Sequence, residues 1–505
     1  MKKVYLIILD GFGLAPESKG NAISLAETPY LDKLLPASEI AQLKAHGHSV
    51  GLPEFQMGGS EVGHVTIGAG RPVKHILTKI NDEIESGTFF EKESLKKLFE
   101  SAQKKGRIHL VGMASDGGIH SFLPHLYGLG KMAKMHDIPE VFIHSFLDGR
   151  DVPERTAKTY LKDIEDKNIG KIASVGGRFF GMDRDKNWNR TVEEYQVLLA
   201  PEKTASDKSW ETIVDNFYGS QGESDYYLPP QLLIKEGQIK PDDIVICFNF
   251  RTDRMRQIMA AFCDEDFNEF ERPFICNPQN FGIFGNYYEN AQTVFSLSSE
   301  PIKNTIGQII SDQGGTQLRI AETDKVNHVT FFFSGERKSE FPGEQRILVD
   351  SPKVASYADA PEMSAAEHTT LALDKINAED FNLVVHNYAN GDLVGHSANI
   401  PATVKAVETL DRELQRIIPT ILEKGYDLLI TADHGNCEEM IMADGHTPCP
   451  THSKNLVPFR LIKSEGAEVV LKKDGTLSDV APTICELLGI EKPDEMSGKS
   501  LLQQC

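Results

Sequence analysis

Short runs of consecutive apolar residues alternate with stretches of helical period along most of the chain, the pattern from which parallel α/β sheets are built. No internal repeat or low-complexity tract interrupts it. Three of the strand-like runs end on side chains with chemistry. Lys3 to Leu9 stops at Asp10, Asn382 to Val385 leads to Asp392 and His396, and Asp427 to Thr431 stops at Asp433 and His434. Open α/β sheets place their sites outside the carboxyl ends of the strands. The three ends converge only if strands from residue 3 and from beyond residue 380 share one sheet, which requires a domain inserted between them. Two crossings fit this: Arg71-Pro72-Val73, ahead of a helical pattern near Thr78, and the Ser- and Pro-containing stretch at 296–301. The expected architecture is α/β, with a sheet domain formed by both chain ends, 1–76 plus 300–505, and a second α/β domain inserted at 77–299.

Composition narrows the class. The chain has 505 residues, 53 Lys and Arg against 74 Asp and Glu, and a formal net charge of −21. A hydrophobic fraction of 40% and a charged fraction of 25% describe a globular protein large enough for several domains. The acidic balance argues against a nucleic-acid or anionic-membrane surface, because counterion release needs a basic face. A small anionic substrate stays compatible, since screening beyond about 8 Å lets a local Arg cluster override the global charge. The seven Cys, at 247, 263, 276, 437, 449, 485 and 505, show neither a CxxC knuckle nor a disulfide framework, and fit reduced thiols in a cytoplasmic protein. The N-terminal apolar run ends after six residues at Asp10, too short for a signal peptide, and no run approaches the roughly 20 apolar residues of a membrane span.

The polar residues at the strand ends form a metal-ligand set. Asp392 and His396 lie four apart and face one way on a helical turn, Asp433 and His434 are adjacent, and His452 follows Pro450-Thr451 in a turn-like setting. With Asp10 these make six oxygen and nitrogen donors, enough for two divalent ions of the kind that assist phosphoryl transfer. Carboxylate and imidazole without thiolate favour Mn²⁺ or Zn²⁺ over Ca²⁺. Each Asp-His pair alone also reads as an ordinary loop ion pair. His64, His368 and His386 lack a comparable carboxylate setting and read as structural.

Met57-Gly58-Gly59-Ser60-Glu61 places Ser60 at the start of a candidate helix, after two glycines that let a ligand approach the backbone. Ser60 is a candidate nucleophile, activated by a metal, or else a plain capping serine. In the inserted segment five arginines sit just past strand ends or in glycine turns: Arg150, Arg178, Arg184, Arg251 and Arg254. They suit a phosphate ester that carries a carboxylate, although pairing with Asp183, Asp185 and Asp253 is the bland alternative. His120, in Ser115-Asp116-Gly117-Gly118-Ile119-His120-Ser121, adds an imidazole, and Asp151 is a candidate acid/base for a substrate hydroxyl.

Nine ordered motifs carry a resemblance across essentially the full length: LIILDGFG at 6–13, MGGSEVGH at 57–64, SDGGIHS at 115–121, FLDGRD at 146–151, GRFFGMDRD at 177–185, FNFRTDR at 248–254, AETDKVNHVTFFF at 321–333, NYANGDLVGH at 387–396 and TADHGN at 431–436. The chain resembles the 2,3-bisphosphoglycerate-independent phosphoglycerate mutases of the alkaline phosphatase superfamily. That resemblance implies an alkaline-phosphatase-like sheet domain and an inserted substrate-binding domain. It implies two Mn²⁺ ions, one on Asp392, His396 and His452 and the other on Asp10, Ser60, Asp433 and His434. It further implies a phosphoserine at Ser60, with His120, Arg150, Asp151, Arg178, Arg184, Arg251, Arg254 and Lys325 binding 3-phosphoglycerate or 2-phosphoglycerate. Lys325, between Asp324 and Val326, otherwise reads as a solvated charge. The expected protein is a cytoplasmic monomer of glycolysis and gluconeogenesis, without nucleic-acid or membrane partners, whose domains close about the two linkers. Gly59, Glu154, Thr252 and Gly391 depart from the residues usual in that family but remove no ligand and no substrate arginine.

Overall fold

The computed structural model describes residues 2–220, 224–295 and 301–503. The chain divides into two compact units, Met1–His75 with Glu300–Cys505, and Ile76–Ser299. Of the expected crossing at 296–301, all but Pro301 lies outside the described residues. Among the described residues no helix is long and apolar enough to cross a membrane.

The first unit is built on an eight-stranded sheet. Its order is Glu344–Val349, Gln317–Glu322, Leu383–Tyr388, Val4–Leu9, Asp427–Thr431, Val457–Ile462, Ala41–Lys44 and Asp474–Thr476. Val4–Leu9 reads Val-Tyr-Leu-Ile-Ile-Leu and is buried at every position, as a central strand covered on both faces must be. It pairs in parallel with Leu383–Tyr388 on one side and Asp427–Thr431 on the other. Ile8 stands opposite Asn387 in one register and opposite Thr431 in the other, so the three strands finish together. Gln317–Glu322 joins in parallel beyond Leu383–Tyr388. The helix Ile400–Glu423 packs its apolar face on this core, and Asn399 caps it by accepting from the Ala402 N–H.

A sharp turn follows Asp10. Gly11 has φ +71, and a Cβ there would lie 2.7 Å from the Asp392 Cα, so both the backbone and the available space require glycine.

The second unit holds a seven-stranded sheet in the order Gln231–Leu232, Lys171–Gly177, Glu140–Leu147, Arg107–Ala114, Ile244–Cys247, Phe281–Ile283 and Gln292–Thr293. All pairings are parallel except that of the short edge strand Gln231–Leu232. Four neighbouring strands therefore release their chains at one edge: into Ser115 after Arg107–Ala114, Asp148 after Glu140–Leu147, Arg178 after Lys171–Gly177, and Phe248 after Ile244–Cys247.

Gly11→Ala is expected to destabilise the protein by at least about 2 kcal/mol, from the left-handed backbone and the clash with Asp392. Urea denaturation checks this, and an unchanged midpoint would show that the turn relaxes freely.

Candidate active site

In the first unit the strand ends bring three carboxylates together in the interior. Asp10, Asp392 and Asp433 are at most 3% exposed. Ser60 is the first residue of the helix Ser60–Ala69, after Gly59 in extended conformation, and its hydroxyl lies 3.1 Å from Asp10 Oδ1 and 2.9 Å from His434 Nε2. His434 Nε2 lies 3.5 Å from Asp10 Oδ1 and 3.6 Å from Asp433 Oδ2. His434 Nε2 is also 3.8 Å from Asp392 Oδ1, and by spacing alone the candidate cation-holding groups among the described residues are Asp392, His434 and His452 on one side and Asp10, His64 and Asp433 on the other, so His434 lies between the two expected sets. Asp392 and His396 belong to the short helix Asn390–Gly395 and its cap. His396 Nε2 and His452 Nε2 each lie 3.2 Å from Asp392 Oδ1 and 3.1 Å from one another. Backbone carbonyls hold the far sides of these rings: His396 Nδ1 is 2.7 Å from Pro450 O, and His452 Nδ1 is 2.8 Å from Gly58 O.

Lys325 reaches this centre from a fourth strand end. It follows Gln317–Glu322, is buried, and donates to Asp10 Oδ1 at 2.6 Å, Ser60 Oγ at 2.7 Å and Asp392 Oδ2 at 2.7 Å. Its neighbours in sequence give no hint of this. The signal that could have found it is its place three residues past the end of a strand in the same sheet. Glu438 and Asn436 were also missed. The buried Glu438 carboxylate accepts from Gly13 N at 3.0 Å, Asn436 N at 2.8 Å and Asn455 Nδ2 at 3.0 Å, and from the Ser453 hydroxyl. It ties the Asp10, Asp433 and His452 loops to one group. Asn436 Nδ2 donates to Asp392 Oδ1 at 3.3 Å. Of the three histidines read as structural, His368 and His386 form a buried chain with the Tyr5 hydroxyl, whereas His64 lies at the centre itself, 3.2 Å from Asp433 Oδ2.

Crowding of charge sets the protonation states. Burial disfavours the Asp10 and Asp392 anions, yet Lys325 and the adjacent imidazoles hold both carboxyls well below the usual carboxylate range. Burial likewise disfavours charge on Lys325, and the three carboxylates overcome it and hold the ammonium above its ordinary value. His434 is raised to about 10 against its burial, mainly by Asp433 and then Asp10 and Asp392. His396 is raised by its hydrogen bond to Asp392. Asp433 Oδ2 is buried and accepts no hydrogen bond among the described residues. A buried anionic oxygen without a donor, among carboxylate, hydroxyl and imidazole donors, fits divalent cations.

The second unit gathers a separate cluster. Arg178 is buried, and its Nη1 donates to Asp148 Oδ1 at 2.7 Å and Asp151 Oδ2 at 2.5 Å, while Nη2 donates to His120 Nε2 at 2.8 Å. Accepting at Nε2 puts the His120 proton on Nδ1, which is buried without a partner among the described residues, as is Arg178 Nε. Burial, then Arg178 and Arg251, push His120 down to about 3, so the ring is neutral. Asp253 joins Arg184 at 2.6 Å and Arg251 at 3.1 Å, and Arg254 donates to Met182 O at 3.1 Å. The pairing of Arg with Asp weighed as an alternative is thus present for Arg178, Arg184 and Arg251. Arg150 is exposed, and no hydrogen bond or ion pair of its side chain joins it to the cluster among the described residues.

A sheet whose strand ends collect carboxylates, imidazoles and a serine defines a metal-dependent enzyme, and the description "Metalloenzyme superfamily" matches residues 2–492, so the chain belongs to that superfamily. A relative from Moorella thermoacetica, named 2,3-bisphosphoglycerate-independent phosphoglycerate mutase, is 43% identical over 512 residues, covering 99% of this chain and 98% of its own. One of the same name from Clostridium novyi is 42% identical over 515 residues, covering 99% of each. A solved structure of Leishmania mexicana phosphoglycerate mutase at low cobalt concentration shares 28% identity and a TM-score of 0.73, covering 99% of this chain and 98% of that one. The chain belongs to the 2,3-bisphosphoglycerate-independent phosphoglycerate mutase family, whose members are isomerases.

Cation binding requires neutral imidazole, whereas in the cation-free centre His434 keeps its proton up to about 10. Its pairing with carboxylates therefore stabilises the cation-free protein fully below the ordinary value near 6.5, and that contribution is lost as pH rises through about 10. At pH 7.5, binding of a divalent cation at His434 is expected to release at least one proton. Calorimetric titrations in buffers of different ionisation enthalpy read this directly, and identical heats in every buffer would contradict it.

Proposed function

We propose that this protein interconverts 3-phosphoglycerate and 2-phosphoglycerate without bisphosphoglycerate, through a phosphoserine at Ser60, as an enzyme of glycolysis and gluconeogenesis. The observation that carries the reading is the Ser60 hydroxyl held within 3.1 Å of Asp10, His434 and Lys325 at the head of a helix. Two Mn²⁺ ions would be held by Asp392, His396 and His452 and by Asp10, Ser60, Asp433 and His434. When bound they supply Lewis acidity toward the phosphoryl oxygens and acidify the serine hydroxyl.

The residues of the chain do the rest. Ser60 Oγ forms a bond to phosphorus as the bond to the glycerate oxygen breaks, and the Lys325 ammonium offsets charge on the transferring oxygens. The freed glycerate stays bound through its carboxylate, which Arg251 and Arg254 grip with the geometry guanidinium groups offer carboxylates. Ser60 gives up its proton to solvent as it attacks and regains one when the phosphoryl group leaves it; a proton carried on Asp151 passes to the departing hydroxyl oxygen, and Asp151 takes one back from the hydroxyl that attacks next, so the cycle conserves protons. Arg178 holds Asp151 for that task, and neutral His120 offers its free Nδ1–H as a donor to the substrate. Arg150 and Arg184 complete the anion-binding surface. The phosphoryl group then returns from Ser60 to the other oxygen, so the reaction is a net isomerisation only while water is kept from the phosphoserine.

A phosphatase would share the metal centre, but nothing in its chemistry calls for a second unit that gathers arginines to keep an organic acid. Rapid acid quench with 3-phosphoglycerate labelled in the phosphate is expected to trap label on Ser60 alone. Ser60→Ala should bind Mn²⁺ and trap none. Label on another residue would overturn the assignment of the nucleophile.

A further inference from the structure

Behind the Ser60 hydroxyl lies a buried imidazole that the reaction as derived does not use. His64, one helical turn after Ser60, has no exposed surface. Its Nδ1 lies 2.9 Å from the Ser60 carbonyl oxygen and 3.2 Å from Asp433 Oδ2, and its Nε2 lies 3.2 Å from Asn387 Nδ2. Asn387, equally buried on the strand Leu383–Tyr388, donates from the same Nδ2 to Asp10 Oδ2 at 2.8 Å. The His328 ring packs against His64 with centroids 5.5 Å apart.

These contacts place the imidazole proton. An ionised carboxylate only accepts, so Asn387 turns its NH₂ group, and not its oxygen, toward Asp10. That same group faces His64 Nε2, which must then be the accepting nitrogen, and the ring proton sits on Nδ1. The Nδ1–H donates to the Ser60 carbonyl and points its remaining reach at Asp433 Oδ2, the buried oxygen that otherwise lacks a donor. Asn387 Oδ1 is left buried without a hydrogen-bond partner among the described residues, a consequence of the orientation Asp10 imposes. Asp10, His64 and Asp433 are spaced as a cation site would be, but a nitrogen that carries a proton is not a ligand.

We propose that His64 and Asn387 form a positioning pair for the cation held by Asp10, Ser60, Asp433 and His434. Asn387 orients Asp10 and locks the His64 tautomer, and His64 fixes the Ser60 backbone and orients Asp433. This rests on the two-cation reading given above. Groups of this kind hold metal ligands in the binding orientation, and their loss lowers affinity about 10–100-fold. Among the described residues no hydrogen bond or ion pair joins His64 or Asn387 to the other cation set, Asp392, His396 and His452, which should be untouched.

The test is Mn²⁺ titration calorimetry on the full chain, unsubstituted and as His64→Leu, His64→Gln and His64→Asn, with circular dichroism and thermal melting to establish folding. The Asn amide nitrogen reaches about where Nδ1 stands and keeps the donor to Ser60, whereas the Gln amide extends to the position of Nε2. His64→Leu and His64→Gln are expected to retain one binding class at unchanged affinity and weaken the other about 10–100-fold. His64→Asn should recover most of that loss. Two unchanged classes in His64→Leu would overturn the proposal. So would equal losses in folded His64→Leu and His64→Asn, or equal weakening of both classes. Asn387→Leu leaves His64 and Ser60 in place and should give the same selective loss, which keeps the test open should the His64 variants fail to fold. A single binding class in the unsubstituted protein would overturn the two-cation reading and the pair with it.

Discussion

Three buried carboxylates set the terms of this structure. Asp10, Asp392 and Asp433 stand at or just beyond the ends of three adjacent parallel strands, where packing keeps water out and no single side chain neutralises them. Anions in such a place persist only if cations share it. Lys325 bridges Asp10 and Asp392, His434 holds a proton against its burial, and one oxygen of Asp433 accepts no full hydrogen bond among the described residues. The residual negative charge makes the centre a binder of divalent cations, and the same charge holds a serine hydroxyl among groups that can stabilise a transferring phosphoryl group. Glu438 is the counterweight: its own charge is met by backbone and side-chain donors from three loops, so it fixes geometry without adding to the demand for cations.

Much of this was legible in the chain because the strand ends are marked. Val4 to Leu9 is a continuous apolar run broken by an aspartate, and such a break in a buried strand has few structural uses. The α/β class follows from the same alternation. What was illegible depends on three-dimensional closure. Lys325 sits between an Asp and a Val in a segment of mixed polarity, and only the parallel pairing of Gln317–Glu322 with Leu383–Tyr388 brings it inward. His64 reads as structural because it lacks a carboxylate setting like those of the other histidines, whereas its partners Asn387 and Asp433 lie more than three hundred residues away. Arg178 shows the converse. The sequence marks it as a cation free for a ligand, and the fold spends most of its donors on Asp148, Asp151 and His120.

In a protein of net charge −21 the second unit gathers five arginines past the strand ends of its sheet. They lie beyond the ends of three strands of that sheet and are partly matched by aspartates, so that they are held in place while keeping, among the described residues, unmatched donors. A neutral imidazole in that setting is a donor insensitive to pH over the physiological range, since His120 stays unprotonated down to about 3. The division of labour proposed here gives bond making to the carboxylate centre and retention of the acid to the arginines.

The most direct test of that division is to incubate Mn²⁺-reconstituted protein with 3-phosphoglycerate, with no bisphosphoglycerate present, and to follow 2-phosphoglycerate and free phosphate in the same tube. The account predicts 2-phosphoglycerate with little free phosphate. Free phosphate without 2-phosphoglycerate would contradict it, and would mean that the metal centre belongs to a hydrolase.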